Sequence, residues 1–112
     1  MTEERRVYTA YIGDKDPFEW TMYQGKPILM PIIFKTCQDI LDEGLEQKQA
    51  ARIEAVIRGT PKAFDFWVKR EEMHDTLDKV MNWALDEEEY EMCQEIKELQ
   101  ERLQNENFSY RG

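Results

Sequence analysis

Residues 77–103, LDKVMNWALDEEEYEMCQEIKELQERL, place two apolar stripes of helical spacing on either side of four consecutive carboxylates. Leu77, Val80, Met81 and Ala84 form the first stripe, and Met92, Ile96, Leu99 and Leu103 the second. Such stripes bury only against another apolar face, so the sequence predicts a chain that doubles back near Asp86 into an antiparallel helical pair. The acidic block then reads as a helix start. Asp86 is placed as the cap with Glu89 reaching back to it, and Glu87 and Glu88 meet the positive end of the helix dipole.

Upstream, Ile33, Cys37, Ile40 and Leu41 recur along one helical face, with Pro31 at the first turn and Gly44 as a left-handed stop. A second helix is read over LEQKQAARIEAVIR, through Ala50, Ile53, Val56 and Ile57 and closed by Gly59. A third opens at Thr60-Pro61 and carries Phe64, Trp67 and Val68 on its apolar side, running on into the stripe of Leu77, Val80, Met81 and Ala84. The first thirty residues differ. RRVYTAYIGD alternates like a strand until Gly13, and FEWTMY and QGKPILM read as two short strands about Gln24-Gly25, with Trp20 and Tyr23 as a lid over the helical core.

The fold class expected is therefore mainly α: about four helices, with a C-terminal antiparallel helical hairpin and a short N-terminal β-hairpin or extended segment packed on them. One domain over 1–105 is expected, divided into an extended or β segment (1–30), a helical core (31–76) and the hairpin (77–105), with a flexible tail at 106–112. A faint echo between 41–57 and 81–99 is the ordinary similarity of two amphipathic segments.

Residues 77–103 resemble the UVR motif, a helical hairpin of bacterial excision-repair proteins. Ala84 closes the first helix, Glu88-Glu89 forms the acidic turn, Tyr90-Glu91 supplies the aromatic and acid, and Ile96-Lys97-Glu98 takes the aliphatic, basic and acidic positions. Gln94 stands where the family has a small residue, and Leu99 comes one residue early. The resemblance implies a non-catalytic hairpin that docks other proteins, including similar hairpins. In size and acidity the chain also looks similar to small accessory proteins of tailed bacteriophages.

Charge narrows the partner. The net charge is −9, and residues 61–112 carry fourteen Asp/Glu against seven Lys/Arg. Binding nucleic-acid phosphates depends on Lys and Arg releasing counterions, so direct nucleic-acid contact is not expected. Two readings follow. In the first, a small acidic, non-enzymatic adaptor docks another protein with a basic and partly apolar surface through Trp83, Glu87, Glu88, Tyr90, Glu91 and Glu95, and a homo-oligomer is open to it. In the second, the carboxylates at 86–89, 91, 95, 98 and 101 imitate phosphates and block a host enzyme that binds DNA or RNA. Trp83 is read either as packing at the hairpin edge or as an interface anchor.

Catalytic and metal readings find little support. Asp14, Asp16 and Glu19 lack the glycine and distant Glu of a calcium loop. His74 has carboxylates a turn away but no nucleophile in the pattern. Cys93 lies among Glu89, Glu91 and Glu95, the wrong setting for a thiolate. Two cysteines and one histidine fall short of a closed zinc site. No catalytic residue, cofactor or metal is expected. The thiols are expected to be free, the start of the chain lacks the apolar core of a secretion signal, and PILMPIIF is too short to span a bilayer. A soluble cytoplasmic protein, without membrane contact, is the expectation.

Overall fold

A computed structural model describes residues 7–110, with side chains described through residue 106. The chain runs β1 (Tyr8–Gly13), α1 (Pro17–Met22), α2 (Lys26–Glu43), β2 (Gln47–Ile57), β3 (Thr60–Lys69), a 3₁₀ turn (Arg70–Glu72), α3 (Met73–Asp86) and α4 (Tyr90–Tyr110). The strands form one sheet in the order β1-β2-β3, with β1 parallel to β2 and β2 antiparallel to β3. The mainly-α expectation is thus overturned: the fold is α+β with a three-stranded mixed sheet.

The largest correction falls on residues 47–69. Ala50, Ile53, Val56 and Ile57 have helical spacing, yet they lie on a strand, because a two-residue turn at Arg58-Gly59 couples this segment to the next. Both turn residues have positive φ, 51° and 77°, the type I′ geometry whose twist matches that of paired strands. Gly59 is therefore a hairpin residue and not a helix stop. Ala50 is the extra residue of a bulge between the Gln49–Trp67 and Ala51–Phe66 pairs. It turns into the helical core while Ala51 is buried within the sheet.

The N-terminal third is corrected as well. Phe18–Met22 belongs to a helix, begun by Asp16, whose Oδ1 accepts hydrogen bonds from the backbone N–H of Phe18 at 2.8 Å and of Glu19 at 3.2 Å. Pro17 follows at the first helical position. Lys26–Met30, expected as strand, is the first part of α2, so Pro27 occupies the helix start and Pro31 lies inside. At the other end of α2, Gly44 is left-handed with φ 66°, and Leu45 N–H closes onto Ile40 O at 2.9 Å.

One face of the sheet is covered. Trp20 of α1 packs on Ala10, Ile12, Ile53 and Ala55, so it lids the sheet rather than the helical core, and Tyr23 is exposed. Gly25 is required here, since a Cβ would run into the Trp20 ring. Toward the bulged end, α2, α3 and α4 join Ala50 and Val68 in the main core. The opposite face is open, and Arg52, Glu54, Asp65 and Gln49 pair across it, with Gln49 Nε2 donating to Asp65 Oδ1 at 2.9 Å.

The described helices continue α4 to Tyr110, through most of the segment expected as a flexible tail; residues 111–112 and 1–6 lie outside the description. No helix among the described residues is long and apolar enough to cross a membrane.

Candidate partner-binding surfaces

The α3–α4 hairpin is built on one apolar seam. Leu77, Val80, Ala84, Ile96, Leu99 and Leu103 are all buried in the main core, with Met81, Trp83, Met92 and Cys93 packed at its margin. Gln100 Nε2 donates to Asp78 Oδ1 at 3.0 Å, which fixes the two helices as antiparallel. Arg102 of α4 pairs with Asp42 of α2 at 2.6 Å and ties the hairpin to the rest of the molecule.

The reversal uses different chemistry from the expected capping box. Asp86 is the last residue of α3, and Glu87 its C-cap. Glu88 then takes the left-handed conformation, with φ 57°. Its N–H reaches Leu85 O at 3.1 Å and the Glu89 N–H reaches Ala84 O at 2.8 Å, the paired bonds of a Schellman stop. Glu89 also starts α4, its carbonyl accepting from Cys93 N–H at 3.0 Å. The acidic block thus ends one helix and starts the next. A left-handed conformation costs a β-carbon residue about 1–2 kcal/mol. Glu88→Gly is therefore expected to raise stability by about 1 kcal/mol in chemical denaturation, while Glu88→Gln, which keeps the backbone cost, stays near wild type.

The residues expected to bind a partner divide in two. Glu87, Glu88, Tyr90, Glu91 and Glu95 are exposed, and Tyr90 keeps 63% of its surface open, its hydroxyl 3.5 Å from Glu88 Oε1. Trp83 is half-buried, packed at the margin of the main core. Leu85, which the sequence reading passed over, is exposed beside the turn. At the tip the exposed Leu85 and Tyr90 flank, along the chain, the exposed carboxylates of Asp86, Glu87, Glu88 and Glu89, with Glu91 next after Tyr90.

A second apolar surface has no counterpart in the sequence reading. Phe18, Thr21 and Met22 of α1 face Ile57, Phe64 and Phe66 of the sheet across a groove of about 590 Å³. Phe18 is 76% exposed and Phe64 39%. Phe18 lies on a helix where the sequence predicts a strand, and Phe64 on a strand where it predicts a helix. The Asp16-Pro17 dipeptide, a cap followed by a first-turn proline, was the available signal for α1.

Among the described residues no group of three or more His, Cys, Asp or Glu could hold a metal ion, and His74 lies on the exposed side of α3. Both thiols are free. Burial of Cys37 raises its pKa from 9.0 to about 12. The fold favours the neutral thiol, so its contribution is complete at neutral pH and declines as pH rises from about 9 toward 12. Accordingly, a thiol reagent at pH 8 is expected to label half-buried Cys93 in the native protein and Cys37 only on unfolding, as peptide mapping reads. No family model, curated protein or solved structure matches the chain.

Proposed function

We propose that the protein is a non-enzymatic docking protein that presents the tip of its α3–α4 hairpin to a basic, partly apolar surface of another protein. The observation carrying this reading is the exposure of Leu85 and Tyr90 on either side of a hydrogen-bonded turn whose residues, Asp86 to Glu89, are four exposed carboxylates. An apolar pair next to charge combines a desolvated contact with electrostatic steering, as a hot spot and its rim do. Glu95 extends the acidic surface along α4, and Trp83 holds α3 in place behind it.

The test is cross-linking capture from cell lysate with the full chain at two salt concentrations. Leu85→Ala with Tyr90→Ala, in a protein of unchanged circular dichroism, is expected to lose the captured protein. Capture that survives the double substitution dismisses the tip. Salt separates this docking from mimicry of a nucleic acid. An apolar contact holds at high salt, whereas capture of a DNA- or RNA-binding enzyme that vanishes steeply with salt assigns the carboxylates the leading part instead.

A further inference from the structure

The strand order leaves β3 on an outer edge of the sheet, and Thr60–Asp65 are exposed. A long edge is a ready template for another strand, and proteins normally guard it with charge, proline or a cover. Here the guards are Pro61, Lys62 and Asp65, and their placement is selective.

The type I′ turn makes Ile57 and Thr60 the hydrogen-bonded pair that closes the hairpin. Bonding then alternates along the ladder: Thr60, Lys62, Phe64 and Phe66 turn their backbone groups toward β2, while Pro61, Ala63, Asp65 and Trp67 turn theirs to the free edge. Pro61, which has no N–H, falls where none is needed by β2.

We propose that this edge pairs with the same edge of a second copy of the chain, antiparallel and centred on Phe64, joining two three-stranded sheets into one. In that register Ala63 lies opposite Asp65 of the second copy, Pro61 opposite Trp67, and Lys62 opposite Phe66. Each charge meets a neutral residue, and the two Phe64 rings meet each other. Neighbouring registers are worse. Centring on Asp65 sets two carboxylates face to face, and centring on Ala63 moves Pro61, whose missing N–H already forfeits one bond at the outer Trp67 rung of the Phe64 register, to an inner rung opposite Asp65. The guards that reject a foreign strand thus admit this one. The apolar groove adds a driving force, because Phe64 forms one wall of it and Phe18, on the facing wall, is largely exposed. The two-fold axis brings the two grooves together and takes that surface out of water.

The experiment is sedimentation of the full chain across roughly 1–500 μM, the range over which a modest interface dissociates. A concentration-dependent dimer is expected. Phe64→Glu and Phe64→Lys are each expected to weaken it more than tenfold, and a 1:1 mixture of the two to dimerise again, since opposite charges then meet across the axis. Ala63→Pro, which removes an edge N–H that β2 does not use, is expected to weaken it as well. A monomer throughout the range overturns the proposal, as does a dimer indifferent to both Phe64 charges or a mixture that stays monomeric. Leu85→Ala with Tyr90→Ala leaves this dimer unchanged, so failure here and failure of hairpin docking are told apart.

Discussion

Leu77→Ala is expected to lower the unfolding free energy by about 3–5 kcal/mol, a large part of the roughly 5–15 kcal/mol that holds a domain together. Leu77 is fully buried, in the same core as Ile96 and Leu103 from α4 and Cys37 and Ile40 from α2. Deleting its branched end leaves a cavity walled by three helices that cannot all collapse inward. Leu85→Ala, eight residues along the same helix but exposed, should cost under about 0.5 kcal/mol. Urea denaturation followed by tryptophan fluorescence measures both. The fluorescence sums three tryptophans from different parts of the fold, Trp20 in the α1 lid, Trp67 on the open sheet face and Trp83 in the hairpin, and single-tryptophan variants separate them. Since Val68 and Ala50 of the sheet share the core with Leu77, one transition should move as a whole. A loss below 1 kcal/mol, or a hairpin that melts apart from the sheet, contradicts this account of the seam.

The seam was legible because its signal is purely local. Two stripes of period 3.6 and a short polar break dictate a reversal whatever the rest of the chain does. The chemistry of the turn was not legible, because Asp86 and Glu89 fit a capping box by spacing while the backbone instead sets Glu88 left-handed, a place usually given to glycine. The sheet was missed for a related reason. EQKQAARIEA is rich in good helix formers, and its strand state depends on partners that no window of sequence contains: β1 from forty residues earlier and β3 across a tight turn.

Two dipeptides show how context decides. Asp16-Pro17 and Thr60-Pro61 carry the same cap-then-proline signal, yet the first begins α1 and the second opens β3. Thr60 follows a turn with two positive φ values and is held by Ile57 across the ladder. Pro61, on the outer edge, loses nothing by lacking an N–H. The site followed the same division. The exposed acids of the hairpin could be placed from sequence, whereas the groove between Phe18 and Phe64 joins residues from two elements that were each assigned to the wrong structure.

Lys48→Met is expected to cost about 2–3 kcal/mol, more than the loss of an ordinary surface ion pair. Asp39 lies on α2 with its side chain only 9% exposed, and Lys48 of β2 reaches its Oδ2 at 3.0 Å. The amine is also 3.6 Å from Glu43, and Lys35 approaches the other Asp39 oxygen at 3.6 Å. Lys35 is largely in solvent, so it cannot replace the desolvated cation that Lys48 supplies. Removing Lys48 therefore takes the nearer of these two lysines away from a carboxylate buried between helix and sheet, at the junction where the βα crossover meets the core. Asp39→Leu alone strands the amine less severely, because Glu43 remains beside it. The double variant Asp39→Leu with Lys48→Met removes both charges and should recover most of the loss, so a double-mutant cycle is expected to return a coupling of about 1–3 kcal/mol. Chemical denaturation of the four proteins decides it. Additive losses mean the two groups act independently, and then the pair does not fasten α2 to β2.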